Sequence, residues 1–302
     1  MKPHRVFLSL ILVVLSMSVA AQTISVEHVQ GTTDVPLNPQ KIFSFDYAAI
    51  DTLQLLGVDV DGLPPLANSP FTFGKDGALN IGSLFDPDYE LIASEMPDLI
   101  IIGGRSADQY KELSRLAPTI DLSFDSDDMY ANFVRNTQIL AAIVGKEDEA
   151  EAHMAGFESR LDALREQVVS GGNGLIVMVN GGSLTALANT NARAGRGSLL
   201  YQTLQLEPAV ADVAAATHGD PISFEFLLQY NPDNLFILDR DAAIGTEGAS
   251  PAKQVLDNEI MHQTAAWQND AIVYLNPFDW YIITGAGLQS MDRMITELED
   301  AY

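Results

Sequence analysis

The chain has 302 residues, 47% of them hydrophobic, and its 41 acidic side chains against 16 lysines and arginines give a formal charge of −25. This length is enough for two domains of ordinary size, and the negative charge argues against nucleic acid or an anionic membrane as a partner. Because the sequence contains no cysteine, disulfides, thiol chemistry and a lipid-bearing cysteine are excluded.

Residues 1–20 have the pattern of a secretory signal peptide. Lys2 and Arg5 precede an apolar run that is short for a membrane span, and small residues end the segment at Ala20. A transmembrane anchor is the weaker alternative. We therefore expect an exported, soluble protein of the periplasm that is not a lipoprotein, with secretion from the cell as the other possibility.

The first half of the chain, residues 21–145, predicts an α/β lobe. Strands are predicted at residues 26–29, 41–45, 58–63, 99–102 and 119–122, and helices at 48–56, 87–94, 107–116 and 128–144. The run 99–102 is apolar throughout, which is typical of a parallel strand buried on both faces. Strands that alternate with helices predict a mainly parallel sheet.

A predicted long helix divides the chain. Its apolar residues recur at steps of three and four and form one stripe: Met154, Phe157, Leu161, Leu164 and Val168. Acidic residues crowd its first turns, which suits the helix dipole. We assign residues 146–170 to a single interlobe helix.

The second half, residues 171–302, repeats the alternation. Strands are predicted at residues 175–179, 235–239 and 272–275, and helices at 198–204, 223–229, 252–258 and 288–301. The predicted fold is therefore α/β, with two Rossmann-like lobes joined by a single long helix and a ligand cleft between the lobes.

An internal repeat relates the two halves. Residues 90–101 resemble residues 225–236, since each segment places a glutamate seven residues before a Pro-Asp pair and continues into an apolar strand. Arg105 and Arg240 each follow that proline by eight residues. Because α/β sheets bind ligands at the carboxyl ends of their strands, the pair predicts an anion held between the lobes. The alternative is that the two segments resemble each other by chance, because a helix followed by Pro-Asp and a strand is a common pattern.

Four further residues lie at the end of a predicted strand or in loops beside predicted helices. Tyr281 follows a predicted strand, and a deprotonated phenol is a hard oxygen donor for Fe(III), although a packing tyrosine is the ordinary alternative. Arg193 and Arg196 lie in a loop at a helix start, where the helix N-terminus adds positive potential. His218 lies in a loop before the second repeat helix, where an ordinary loop histidine is the alternative.

The sequence contains no recognisable catalytic motif. G-x-S-x-G, H-E-x-x-H and G-x-x-x-x-G-K-[ST] are all absent. We therefore predict that the protein is not an enzyme. The alternative from a different class is a periplasmic hydrolase that uses His218 with a carboxylate.

Taken together, the mature sequence resembles the long-helix class of ABC-transporter substrate-binding proteins, and within it the periplasmic siderophore binders for ferric catecholates. The phrases that carry the resemblance are PDLIIIGGRSADQYKELSRLAPTI, GRGSLLYQTLQL, THGDPISFEFLLQYNPDNLFILDRD and FDWYIITGAG. The resemblance implies a monomer that binds a ferric siderophore as ligand, has no intrinsic cofactor and delivers its ligand to an inner-membrane ABC permease.

The resemblance also implies roles for individual residues. Three arginines surround the anionic complex: Arg105, Arg196 (with Arg193 as the alternative) and Arg240. A histidine and a tyrosine complete the iron coordination, at His218 and Tyr281. A glutamate on each lobe, Glu90 and Glu225, docks onto arginines of the permease.

The possible ligands differ in how many of the six coordination sites on iron the siderophore fills. A complex that fills all six leaves none for His218 or Tyr281, whereas a four-oxygen ligand leaves two, so we expect a preference for tetradentate ferric catecholates. Haem capture is the nearest rival, because a Tyr/His pair also holds haem iron, but it calls for an apolar slot with fewer arginines. A second rival is a protein that binds a free metal ion. Such a protein requires clustered His, Asp and Glu ligands, which the isolated histidines of this sequence do not provide. The single connecting helix predicts only a small lobe rotation on binding.

Overall fold

The computed structural model describes residues 22–66, 74, 76–125, 128–187, 196–211, 213, 219–283 and 286–302. The predicted signal peptide, residues 1–20, lies outside the described residues, and so do Arg193 and His218. Within the described part of the chain, no helix is both long enough and apolar enough to span a lipid bilayer.

The first lobe is built on a five-stranded parallel sheet. Its elements are β1 (Thr23–His28), β2 (Gly31–Pro36), β3 (Ile42–Ser44), α1 (Tyr47–Leu55), β4 (Gly62–Leu63), β5 (Leu79–Asn80), α2 (Tyr89–Glu95), β6 (Leu99–Ile102), α3 (Tyr110–Leu113), β7 (Thr119–Asp121) and α4 (Met129–Val144). The strand order is β5-β4-β3-β6-β7, and every pairing is parallel. The parallel sheet predicted for this half is therefore confirmed, and β6 is buried at all its positions as its apolar sequence predicts.

Two strands predicted in the first half have a different extent. The prediction at 26–29 corresponds to β1, which pairs with β2 in a separate antiparallel hairpin. The predicted strand at 58–63 is reduced to β4, because only two of its residues join the sheet.

The predicted single connecting helix is wrong: the connector consists of two helices, α5 (Glu147–Met154) and α6 (Phe157–Ser170). Ala155 is not helical, and Gly156 has a left-handed φ of 93°, a conformation that glycine adopts without steric cost. The predicted apolar stripe is nevertheless buried from Phe157 to Val168, within α6. Helix α5 packs on α4, so the break marks where the chain leaves the first lobe.

The second lobe is built on a mixed sheet. Its elements are β8 (Asn173–Asn180), β9 (Ser183–Ala186), a π-helical turn (Leu199–Thr203), β10 (Glu207–Pro208), β11 (Asp220–Ile222), α7 (Phe224–Tyr230), β12 (Asn234–Asp239), α8 (Arg240–Ile244), α9 (Ala252–Leu256), α10 (Ala265–Gln268), β13 (Ile272–Leu275), a second π-helical turn (Phe278–Ile282) and α11 (Leu288–Ala301). The strand order is β11-β9-β8-β12-β13.

Strands β8, β12 and β13 of this sheet pair in parallel, whereas β9 pairs antiparallel with both of its neighbours, β8 and β11. Gly181 and Gly182 connect β8 to β9, and both have positive φ, which a two-residue hairpin turn of this kind requires.

The hydrophobic core is continuous between the lobes. Alternate residues of β8 and β12 face opposite sides of the second sheet, and one side joins the core of the first lobe. Helix α11 completes that shared core, because its buried residues Leu288, Met291 and Ile295 belong to the same cluster as Ile50 and Leu53 of α1. The lobes therefore share buried apolar surface as well as a connector.

Candidate functional site

The structure brings together the three arginines predicted from the sequence. Arg105 follows β6, Arg196 lies before the first π-helical turn, and Arg240 is the first residue of α8 directly after β12. Burial lowers the pKa of both Arg105 and Arg196. At Arg196 the nearby positive charges of Arg105 and Arg240 also lower the pKa, while Tyr281 acts in the opposite direction. Three guanidinium groups thus converge although the protein is strongly acidic.

Tyr281 lies at the centre of these arginines. The guanidinium carbon of Arg196 is 4.2 Å from the centroid of its ring, which is a cation–π distance. The guanidinium carbon of Arg240 is 5.7 Å from the same centroid, and its Nε donates a hydrogen bond to Tyr281 Oη at 2.8 Å. Tyr281 is only 6% exposed, so these neighbours restrict the orientation of its ring.

Arg105 crosses the cleft from the first lobe to the second. Its Nη2 donates a hydrogen bond to the carbonyl oxygen of Ile282 at 2.5 Å. On its own lobe, its guanidinium carbon lies 5.8 Å from the centroid of the Tyr47 ring. Burial raises the pKa of Tyr47 to about 12, while the charge of Arg105 acts in the opposite direction. The site is therefore formed by both lobes.

The position of Arg240 is fixed by the end of β12. The side chain of Asp239 caps α8 by accepting from the backbone N–H of Ala242 at 3.0 Å, and it accepts from the N–H of Ala252 at 2.8 Å. Arg240 also donates from Nη1 to Asn180 Oδ1, at the end of β8, at 2.9 Å. Two neighbouring strand ends thus hold one guanidinium group.

Asp46 is a charged residue of the site that the sequence analysis missed. It caps α1 by accepting from the N–H of Ala48. Gly103, just before Arg105, lies so close that an added Cβ would meet Asp46 Cγ at 2.8 Å and Oδ2 at 2.9 Å. Burial raises the pKa of Asp46 to about 6, and the negative charge of Asp121 adds to the rise while Arg105 opposes it. The available signal was an N-cap aspartate directly after an apolar strand.

Glu90 and Glu225 occupy equivalent, exposed positions in the first turns of α2 and α7. Each helix has seven residues, a side-chain N-cap and a left-handed C-cap, with φ of 48° at Met96 and 44° at Asn231. Strand β6 follows the first helix and β12 the second. The repeat seen in the sequence is thus a structural repeat, with one glutamate exposed on each lobe.

The predicted iron donors are only partly described. Tyr281 lies among the arginines, whereas His218 is outside the described residues. Within the described ranges, no three His, Asp or Glu side chains form a metal-binding cluster.

A family of proteins described as periplasmic binding proteins matches residues 44–277 of this chain. The matched range contains Arg105, Arg196 and Arg240 and ends shortly before Tyr281.

Three individual proteins are similar over most of the chain. The petrobactin-binding protein YclQ of Bacillus subtilis is 35% identical over 286 residues, 92% of this chain and 88% of that protein. Its crystal structure has a TM-score of 0.84 and covers 93% of this chain and 98% of that chain. The ferric-anguibactin-binding protein FatB of Vibrio anguillarum is 29% identical over 293 residues, 92% of this chain and 87% of that protein.

The third protein is known from its structure. The periplasmic catecholate-siderophore binding protein VctP of Vibrio cholerae is 27% identical, with a TM-score of 0.85, and the match covers 92% of this chain and 100% of that chain. These similarities confirm the predicted α/β fold class with two lobes.

Proposed function

Because this chain belongs to the periplasmic binding protein family, we propose that it captures ferric catecholate siderophores, preferentially tetradentate ones, for an ABC importer. The coarser prediction, a siderophore-binding component of an iron ABC transporter that is not an enzyme, is confirmed by the family and by the similarity to YclQ, FatB and VctP. The catecholate class, the number of donor oxygens and the residue roles are the parts that we propose.

The convergence of Arg105, Arg196 and Arg240 on one aromatic side chain is the observation that carries the proposal. A ferric catecholate complex is multiply anionic, and a protein with a formal charge of −25 repels it at long range. Three partly buried guanidinium groups reverse the potential locally, and their planar donors match catecholate oxygens. Their positive charge favours an anionic complex over haem in an apolar slot.

Tyr281 and His218 are the proposed protein donors to iron. Tyr281 Oη already accepts a hydrogen bond from Arg240, so a phenolate oxygen at this position is oriented by a positive group. A tetradentate siderophore leaves two sites on iron, which one phenolate oxygen and one imidazole nitrogen fill. The similarity to the catecholate-binding VctP supports this ligand class.

Glu90 and Glu225 are the proposed contacts to the permease, one on each lobe. Both are exposed at equivalent positions of the structural repeat, as expected if the partner contacts both lobes at once. We further propose that the protein acts as a monomer in the periplasm and that residues 1–20 direct its export.

The test is a binding panel measured by tryptophan fluorescence. The sequence has two tryptophans, and Trp280 is next to Tyr281, so Trp267→Phe leaves one reporter beside the site. The ligands are the Fe(III) complexes of a linear bis-catecholamide, a tris-catecholamide and a trihydroxamate, together with haem. We expect the tetradentate bis-catecholamide complex to bind most tightly. Tighter binding of haem or of the hydroxamate would contradict the proposed ligand class.

A further inference from the structure

The π-helical turn that carries Tyr281 is fastened to helix α11. Glu297 of α11 accepts from the backbone N–H of Asn276 at 2.7 Å and from Trp280 Nε1 at 2.8 Å. Arg293, one helical turn before Glu297, donates to both carboxylate oxygens of Asp279, from Nη2 to Oδ1 at 2.7 Å and from Nε to Oδ2 at 3.0 Å. The place of Tyr281 in the site therefore depends on where α11 lies.

Arg293 also reaches the first lobe. Its Nη2 donates to Oδ1 of Asp51, in α1, at 3.3 Å. The other oxygen of Asp51 accepts from the backbone N–H groups of Gln289 and Ser290, in the first turn of α11, at 2.8 Å and 3.0 Å. One carboxylate of the first lobe thus caps α11 and shares a guanidinium group with the Tyr281 turn.

These contacts are enclosed and closely fitted. Asp51 is 2% exposed and Asp279 is 1% exposed, and burial raises the pKa of both while Arg293 opposes the rise. At Gly287, the N-cap of α11, an added Cβ would meet Asp51 Oδ2 at 2.4 Å and the carbonyl oxygen of Ala48 at 2.5 Å. The N-terminus of α11 is therefore held against α1 with no room for a side chain at position 287.

The Tyr281 turn consequently contacts the first lobe at both of its ends. At Asp279 the contact runs through Arg293 to Asp51, and at Ile282 it is the hydrogen bond from Arg105. We propose that Arg293 is a positioning residue for ligand binding, which holds the Tyr281 turn in register with α1 so that Tyr281 stands among arginines of both lobes. This inference rests on the proposed function, because it assumes that Tyr281 contacts the bound complex.

The chain offers a matched control for Arg293. Arg160 of α6 also binds α11, donating to Glu299 from Nε and Nη2 and to Asp292 from Nη1, but these residues do not contact the Tyr281 turn in the described hydrogen bonds. Arg293 and Arg160 have side chains of equal exposure, 30% each. Arg293→Lys and Arg160→Lys each keep the positive charge and lose the planar guanidinium group. The two variants therefore differ chiefly in which contacts are lost, since of these two arginines only Arg293 contacts the Tyr281 turn among the described residues.

The experiment compares two ligands in the same variants. We expect Arg293→Lys to weaken binding of the tetradentate Fe(III) bis-catecholamide by roughly 10-fold, the value of one charge-assisted hydrogen bond, and to shift its charge-transfer band. Binding of the hexadentate tris-catecholamide complex, which needs no protein donor, should change less than about 2-fold, because this substitution leaves the charges of Arg105, Arg196 and Arg240 in place. Arg160→Lys should leave both affinities and the band unchanged.

A second variant guards against misfolding. Asp51→Asn keeps an oxygen for the N–H groups of Gln289 and Ser290 and removes the charge that faces Arg293, so it should shift the band in the same direction as Arg293→Lys. Equal weakening of both ligands in either variant, or no change in the band, would overturn the positioning role. If wild-type protein binds neither ferric complex, the proposed function fails and this inference fails with it.

Discussion

The guanidinium group of Arg105 and the backbone carbonyl of Ile282 join the two lobes across the cleft. Arg105 follows a first-lobe strand, whereas Ile282 is the neighbour of Tyr281 in a second-lobe turn. A residue proposed to bind the ligand therefore also links the lobes, and the charge that attracts an anion lies where the lobes meet.

The first prediction concerns the charge of the arginines. Arg105→Gln should weaken binding of the ferric bis-catecholamide by roughly 10- to 100-fold, because a charge-assisted hydrogen bond to a charged group contributes about 1.5–3 kcal/mol. The control is Arg115→Gln, since Arg115 is an exposed arginine paired with Glu112 outside the site. Fluorescence titration measures both affinities, and equal effects of the two substitutions would argue against an anion site at Arg105.

The second prediction concerns Tyr281 as an iron donor. Tyr281→Phe retains the ring that faces Arg196 and removes only the oxygen that accepts from Arg240. The charge-transfer band of the ferric bis-catecholamide should change on binding to the wild type and remain unchanged on binding to this variant. Tyr230→Phe, at a surface position that is 44% exposed, serves as the control. Tight wild-type binding without any spectral change would reject direct ligation.

The third prediction is a pH dependence of stability from Asp46. Its folded pKa, about 6, is above the ordinary value of 3.8, so the protonated carboxyl is favoured on folding. The resulting stability is fully present below about pH 4 and is lost as the pH rises through about 6. The free energy of unfolding of Asp46→Asn, relative to that of the wild type, should therefore increase by about 1–3 kcal/mol as the pH rises from 4.5 to 7.5.

Chemical denaturation of both proteins at the two pH values measures this difference. Asparagine keeps an oxygen for the N–H of Ala48, so the helix cap is retained. A difference in free energy of unfolding that does not vary with pH would show that Asp46 is ionised in the folded protein throughout this range.

The fourth prediction separates ligand binding from delivery. Glu90→Arg and Glu225→Arg should leave the affinity for the ferric bis-catecholamide unchanged, because both residues are exposed on α2 and α7 outside the arginine site. The same variants should reduce ligand-dependent stimulation of the permease ATPase in liposomes by 10-fold or more, as expected for a lost charged interface contact. Glu247→Arg, at another exposed glutamate, is the control. Full stimulation by both variants would exclude these glutamates as the docking contacts.

The fifth prediction concerns lobe motion. Helix α11 packs on α1, and the hydrophobic core is continuous between the lobes, so rotation about the connector would disturb buried contacts. We expect the lobes to rotate by only a few degrees when the ferric complex binds. Small-angle scattering with and without ligand checks this, and a large decrease in radius of gyration would contradict it.

The sequence predicts the features that depend on neighbouring residues. The run 99–102 is apolar enough to identify a buried parallel strand, and the repeat places Arg105 and Arg240 at equivalent strand ends. Both predictions depend only on the types of residues that are close together in the sequence, and such residues determine local structure.

The break in the connector was harder to predict. Gly156 interrupts a stripe that continues with helical spacing from Met154 to Phe157, and one glycine inside a helical pattern is commonly tolerated. Helix α5 before this glycine packs on α4, whereas α6 after it packs on α11, and these two partners are distant in sequence from each other. The hydrogen bond between Asp51 and Arg293 could not be predicted for the same reason, because the two residues are separated by more than 240 positions and no local pattern relates them.

The packing of α11 on α1 has a consequence for the independence of the two lobes. Leu288, Met291 and Ile295 lie in one buried cluster with Ile50 and Leu53 of α1, although the two helices are far apart in the sequence. Without α11, the first lobe would expose this apolar face of α1 to water. The lobes therefore complete one core between them, and we expect them to unfold together in a single cooperative transition.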